Sequence, residues 1–403
     1  MLSSILDISW VWFGEQSMEK PLWMICTTHM FVEVYLLMQV ALIPVIIHEF
    51  QLSLLEASLV ATIPNFVALL LNIPSGFLAD RFSPNQLLFA SMVFEGFSGL
   101  LISQANSFWI LVVELCILKI SSPLYHISGL SQISRFAKPD KISRSIGFHN
   151  ALGNLGTAGG LISLTVFLST VGWRWTYLFW SAPVIVWGFV ILTSSQLRSN
   201  RVEKTVGAHK GRFARWSLLF SSGFLILLAV VGLREVGSTG SSTFMTTYFV
   251  ETRGLSEAMA SFIFGLGPFV GIVGSISGGY LCERIGARNA FSWVTVSGAI
   301  LLFGLSLMSQ LHFLVIIYLL YSFFSSAVWS PINTIVANTT PITERGLGYS
   351  VYFFMEGLLA SAVPILAAGV IELTDVWFIF PLSVIFLIAS VIVVQSLEYP
   401  KEQ

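Results

Sequence analysis

Twelve apolar stretches run through this chain from end to end, most of them near the ~20 residues an α-helix needs to cross a bilayer. They fall at about 21–47, 55–79, 87–104, 108–130, 146–169, 174–194, 217–249, 257–281, 289–308, 312–335, 347–371 and 376–396. Only 10% of the residues are charged and 55% are hydrophobic. Soluble domains carry roughly 25% charged residues, so this sequence cannot cover a water-facing surface. An outer-membrane barrel would show short alternating strands instead of continuous runs. The expected fold is an all-α integral membrane protein with twelve transmembrane helices, numbered here as spans 1 to 12.

The runs repeat in two halves. Gly76-Phe77-Leu78-Ala79-Asp80-Arg81 returns 203 residues later as Gly279-Tyr280-Leu281-Cys282-Glu283-Arg284. Leu52-Ser53 and Ala57-Ser58 map onto Leu255-Ser256 and Ala260-Ser261 at the same offset. Ser121-Ser122 match Ser325-Ser326, and Arg144 and Gly147 match Arg345 and Gly348, at offsets of 204 and 201. A near-constant offset in one order predicts two six-helix pseudo-repeats. The expected division is an N-terminal bundle over 1–194, a basic linker over 195–215 and a C-terminal bundle over 216–403. Duplicated halves with a site between them are a transporter architecture. Within the first bundle, Trp10, Trp12 and Phe13 point to a short membrane-surface segment in residues 1–20.

Charge gives the orientation. Sixteen of the twenty Lys and Arg residues lie in the tails or in loops on the side of the two acid–Arg pairs. Arg174 and Arg253 lie in opposite loops, and Lys119 and Arg234 lie within spans. Positive residues stay in the cytoplasm, so both termini and the linker are expected there. Trp109, Trp173, Trp175 and Trp377 gather at the other interface as an aromatic belt. A cell membrane is the expected location.

Several classes are excluded. No basic tract offers a nucleic-acid surface. Cys26, Cys116 and Cys282 are too scattered for a zinc site and read as apolar thiols. Acids precede the first basic residue, Lys20, so a secretory signal is not expected. No phosphate-binding Gly-rich loop with Lys and Ser/Thr is present, so ATP is not the direct energy source. No catalytic constellation emerges, and no cofactor or metal is expected. The expected partners are a small-molecule substrate, protons and the lipid bilayer, with the chain a monomer.

Ionisable side chains inside spans are costly in hydrocarbon and mark function. His29 and Glu33 are four apart, on one face of span 1, and both can change protonation. They suit proton or substrate handling, or else a fixed ion pair. Arg234 and Glu235 share span 7; Arg234 is a counter-charge to Glu33, a substrate anchor or a structural pair. Glu114 and Lys119 are offset on span 4. His126 and His149 sit towards one end of spans 4 and 5, as candidates or as interfacial polar groups. Glu95 and Glu356 are isolated acids, and Gly357, Ser361 and Pro364 follow the latter. The glycines Gly153, Gly156, Gly159 and Gly160 of span 5 fit close helix packing.

Six plus six spans, cytoplasmic termini, a basic central loop and the repeated glycine–acid–Arg motif together resemble the major facilitator superfamily. The resemblance covers nearly the whole chain. The motif's glycine and basic continuation is kept in the second copy as Gly286 and Arg288, whereas the first has Ser83, Pro84 and Asn85. The resemblance implies that Gly76, Asp80, Arg81, Gly279, Glu283 and Arg284 act in gating, through contacts between the halves that break on inward opening. It also implies a midplane cavity lined by spans 1, 4, 7 and 10. Lys119 is similar to a basic residue of span 4 used for proton coupling. The span 5 glycines resemble the antiporter signature, with Thr157 where that signature has proline.

A narrower resemblance is to the fosmidomycin-resistance-type exporters. It rests on His29, Glu33 and Ile43-Pro44, on Leu124-Tyr125-His126, and on Gly147-Phe148-His149-Asn150 with Gly153-Asn154-Leu155-Gly156. Together these imply proton-driven export of a small amphipathic or drug-like molecule by alternating access. Uptake of a small metabolite is the alternative. A lipid flippase or a non-transporting receptor is the alternative of another class.

Overall fold

The computed structural model describes residues 20–136, 142–194, 221–340 and 345–397. All regular structure among them is helical. Eleven helical stretches are long and apolar enough to cross a membrane, and the shorter apolar helix Pro21–Val32 belongs to span 1. The linker expected at 195–215, and all of the membrane-surface segment expected in 1–20 except Lys20, lie outside the described residues.

Seven spans are single long helices: Leu54–Arg81, Pro84–Ile102, Ile142–Thr170, Arg174–Thr193, Glu257–Ile285, Ala287–Leu307 and Arg345–Leu373. Span 12 is Ile379–Val394, entered through the 3-10 turn Val376–Phe378. The pseudo-repeat is visible in the caps. Ser53 starts span 2 by accepting from the Glu56 amide, with Glu56 folding back onto Ser53. Its repeat partner Ser256 starts span 8 by accepting from the Met259 amide. Each cap satisfies an otherwise orphaned helix N–H.

Four spans expected as continuous are broken. Span 1 runs as Lys20–Val32, Met38–Ala41 and Ile43–Phe50. Span 4 runs as Phe108–Leu118 and Ser121–Phe136, and span 10 as Leu311–Ala327 and Trp329–Thr339. Span 7 passes from Ser222–Thr243 through Met245–Thr247 into a π turn at Tyr248–Thr252. In spans 1, 4 and 10 proline explains a break, since it gives no hydrogen bond to the carbonyl four residues back. Pro123 faces Lys119 in this way, Pro331 faces Ala327, and Pro44 faces Val40. The stretch 33–37 of span 1 lies against the glycines of span 5.

Freed carbonyls are reused as acceptors. Val40 O accepts from Thr246 Oγ1 at 3.2 Å. Pro268 frees Phe264 O, which accepts from Tyr318 Oη at 2.9 Å. Pro364 frees Ala360 O, which accepts from Asn65 Nδ2 at 3.2 Å. The first and third of these bonds join the two halves.

The core divides along the membrane normal. At the end opposite the glycine–acid–Arg motifs, one apolar cluster takes residues from both halves, among them Met38, Phe108, Leu161, Phe249, Tyr318 and Phe380. At the motif end there are two clusters. One is built around Leu22, Met92 and Ile191 of the first half; the other is built around Phe224, Phe291 and Ile332 of the second. Spans 5 and 8 and spans 2 and 11 pack across the interface. The far end is closed further by His48, whose imidazole meets Glu257 at 2.9 Å and Glu251 at 3.5 Å. Glu372 accepts there from the Leu55 amide at 3.0 Å. The apolar core is shared by the halves at the far end and divided between them at the motif end.

Candidate functional site

Small residues let span 5 approach span 1 closely enough to bury polar groups between them. A Cβ on Gly156 or Gly160 would overlap the carbonyl of Met30 or Val34, so only glycine fits this contact. Gly153 leaves room for His29 and Glu33. Thr157 Oγ1 donates to the Glu33 carbonyl at 3.2 Å. The span 5 glycines therefore serve packing, and Thr157, where the antiporter signature has proline, holds the broken stretch of span 1.

The pocket so formed contains three histidines and an acid. His29 Nε2 lies 3.2 Å from Glu33 Oε1, and His126 Nε2 lies 3.7 Å from the same oxygen. His29 and Glu33 are both buried. His29 stacks on His149 with ring centroids 3.7 Å apart. His149 Nε2 meets Tyr125 Oη at 2.8 Å, and that hydroxyl also reaches Ile25 O at 3.0 Å. Spans 1, 4 and 5 thus bring together His29, Glu33, His126 and His149. His149 is buried and His126 is half-buried. The break before Pro123 starts a new helix at Ser121, and one turn into it His126 faces span 1.

A second part of this pocket is a cavity of about 20 Å³ lined by Glu33, Tyr35, Gln39, Glu95, Lys119 and Ser122, among others. It has room for roughly one water. Glu95 accepts from the Ser121 hydroxyl, which corrects its reading as isolated. Gln39 Oε1 is buried with no hydrogen-bond partner among the described residues. Glu114 is buried elsewhere on span 4, with Oε2 likewise unpartnered, so Glu114 and Lys119 are not brought together.

The second half holds a separate charged cluster. Arg234 Nη1 lies 3.1 Å from Glu235 Oε2 and 3.5 Å from Glu356 Oε1. Its guanidinium also sits 4.4 Å from the centre of the Trp329 ring. Tyr352 Oη donates to Glu356 at 3.3 Å, and the Thr239 hydroxyl donates to Glu235. Arg234 is therefore paired within its own half and not with Glu33. Glu356 is not isolated. Its neighbour Gly357 packs on Leu69 of span 2, which sets the cluster beside the interface between halves.

The glycine–acid–Arg motif closes its helices: span 2 ends at Arg81 and span 8 at Ile285. The side chains of Gly76, Asp80 and Arg81 lie outside the described residues. Glu283 and Arg284 are exposed. Arg284 lies on the Tyr280 ring at 4.4 Å and bonds its hydroxyl, while Glu283 has no ion pair among the described residues. Ser83, Pro84 and Asn85 build the turn into span 3. Ser83 donates from its amide to Gln86 at 3.0 Å, and Asn85 Nδ2 donates to Ser194 O at 2.9 Å. Gly286 keeps a φ of 81° after span 8, a left-handed conformation open to glycine.

Sequence reasoning missed the His48–Glu251–Glu257 contact. These residues are in loops or at helix ends on different spans, with no shared periodicity. Tyr125 was visible only as part of a resemblance, and its bond to His149 depends on the fold of span 5.

Comparison with known proteins gives a consistent picture. The family model described as Major Facilitator Superfamily matches residues 24–364. A nitrite extrusion protein of Bacillus subtilis (strain 168) is 26% identical over 269 residues, covering 65% of this chain and 66% of that protein. An MFS-type efflux pump of Mycolicibacterium smegmatis (strain ATCC 700084 / mc(2)155) is 20% identical over 251 residues, covering 60% and 58%. The matches thus span less than two thirds of the length of these relatives. The crystal structure of a bacterial homologue of the human lysosomal transporter Spinster, inward-facing and occupied, superposes with a TM-score of 0.74. It is 15% identical and covers 93% of this chain and 96% of that one.

Proposed function

The chain belongs to the major facilitator superfamily, and from that premise we propose that it exports a small amphipathic molecule in exchange for protons. It is a multi-pass membrane transporter and not an enzyme. The motif end would face the cytoplasm, following the Lys and Arg distribution. The shared core at the far end and the divided core at the motif end would then correspond to an inward-open state.

One observation carries the proton reading: Arg234 is bonded to two carboxylates, Glu235 and Glu356. One guanidinium balances one carboxylate. A surplus negative charge in the membrane interior is costly, so the cluster has reason to take up one cation. A proton is the smallest that can reach it. Glu356 is the more exposed of the two carboxylates, at 15% against 9%. It also lies beside Gly357 and Leu69, where spans 11 and 2 meet. Movement of one half against the other changes the surroundings of Glu356. A solute that prefers the deprotonated cluster then shifts the same equilibrium, by no more than its differential affinity for the two states.

The amphipathic solute is favoured because Arg234 is already paired, leaving no free guanidinium there for an inorganic anion. The 20 Å³ cavity beside Lys119 is too small for an organic solute, so the solute would occupy the space between the halves at the motif end. Reconstituted vesicles with an imposed pH gradient test this. Accumulation against proton entry by wild type, lost in Glu356→Gln with solute exchange retained, is the expected result. Gradient-driven accumulation unchanged in Glu356→Gln sinks the proposal. Solute and protons moving in the same direction would select uptake instead.

A second reading is inorganic-anion transport, favoured by the similarity to the nitrite extrusion protein. Lys119 would carry it, being buried with no ion pair among the described residues. Nitrite flux in the same vesicles that disappears in Lys119→Met, with no flux of organic amphiphiles, selects this reading.

A further inference from the structure

We propose that His29, Glu33 and His126 form a binding site for one divalent transition-metal ion of the zinc, cobalt or nickel type. The argument starts from the ring nitrogens facing away from the site. His29 Nδ1 lies 2.9 Å from the carbonyl oxygen of His149. His126 Nδ1 lies 2.9 Å from the carbonyl oxygen of Ser122. A carbonyl only accepts, so each Nδ1 carries the hydrogen. A ring that carries only this hydrogen presents a bare Nε2 lone pair on its other side. Both lone pairs face Glu33 Oε1, at 3.2 and 3.7 Å.

In that form three acceptors are directed at one another, and they repel until a proton or a metal ion sits among them. The three ligand atoms all lie within 4.8 Å of one another. A tetrahedral ion with bonds of roughly 2.1 Å holds its ligands about 3.4 Å apart, which small side-chain adjustments reach from here. Imidazole and carboxylate are the donors such ions prefer. A ligating histidine normally donates its second ring N–H to a carbonyl or carboxylate, which fixes ring and tautomer. Both histidines here do so before any ion arrives. The stacked His149 ring and the Tyr125 hydroxyl brace His29 from behind.

With two imidazoles and one carboxylate the set leaves a fourth position open. A divalent ion with Glu33 as its one anionic ligand leaves one net positive charge, which an anionic fourth ligand would neutralise. All three ligands belong to spans 1 and 4 of one half, so the ion stiffens that half without tying it to the other. This inference stands on the arrangement of the three side chains and is independent of the proton site at Glu356.

The test uses the purified full-length protein in detergent, with Co²⁺ as a spectroscopic probe and Zn²⁺ as competitor. The expected result is one Co²⁺ per chain with the visible absorption of a four- or five-coordinate nitrogen–oxygen site, displaced by Zn²⁺ and not by Mg²⁺. Glu33→Gln and His126→Gln should each weaken binding by at least about tenfold, while His312→Gln, on span 10, leaves it unchanged. Wild-type protein that takes up no Co²⁺ in this form overturns the proposal. So does binding that survives in both ligand variants. Should the variants fail to fold, the wild-type spectrum and stoichiometry decide alone. Loss of the pH-driven flux in Glu356→Gln bears on the proton reading and leaves this one untouched.

Discussion

At the scale of single residues the two halves neutralise buried charge by different means. In the second half a permanent cation, Arg234, is held by two carboxylates and an aromatic ring. Removing it leaves both acids unpaired, and breaking a buried pair costs about 3–5 kcal/mol. Arg234→Ala is therefore expected to lower the melting temperature sharply in a detergent thermal scan. Adding Glu235→Gln to that variant should recover part of the loss, and no recovery would show that the two side chains act separately. In the first half Glu33 faces two imidazoles instead of a guanidinium. His29 and Glu33 were legible because four residues is one helical turn. His126 and His149 were legible as residue types but not as neighbours. Their meeting depends on a proline break and on a glycine contact between two other spans.

At the scale of elements, prolines decide where spans bend. Pro123 has no N–H for the Lys119 carbonyl, and the chain turns there before the helix resumes at Ser121. Pro123→Ala restores that donor and should let span 4 run straight. The expected result is an unchanged or higher melting temperature with reduced transport, because Lys119 and His126 are re-aimed. Lower stability together with full transport would refute the link. Gly156→Ala should act in the opposite sense. Its methyl group would overlap the Met30 carbonyl, at about 1–3 kcal/mol for overpacking, measurable as a lower melting temperature. The apolar runs predicted twelve spans well, because hydrophobic length is a property of composition. They could not predict the breaks. A proline inside an apolar run does not by itself end a helix: Pro268 and Pro364 free carbonyls that find other partners, yet their helices continue. Pro64, Pro74 and Pro183 lie inside helices that continue through them.

At the scale of the whole molecule the far end is closed by few and exposed polar contacts over an extended apolar core. His48 lies between Glu251 and Glu257, more than half exposed at 57%. It meets two carboxylates of the other half, so these contacts add to closure at the far end. Exposed pairs contribute about 0–1 kcal/mol, which limits the shift in population to roughly fivefold. In His48→Gln, spin labels placed across the far end should report more of the open state. Equal distance distributions in wild type and variant would assign closure to the apolar core alone. The two-half architecture itself was legible from the repeated motif and its constant offset. The state of the gates was not, since one sequence must serve both facing states.

The carbonyls of Val40 and Ala360 accept from Thr246 and Asn65 across the interface between the halves. Once the halves part there, each oxygen must exchange its side-chain donor for a water molecule, because proline has removed the alternative within its own helix. Opening is then a wetting step that takes up on the order of two waters at these oxygens alone, and closing is a drying step. Transport by this protein should accordingly respond to water activity. Osmolytes excluded from the opening far end should slow the cycle, and substituting Thr246 with valine should weaken that dependence.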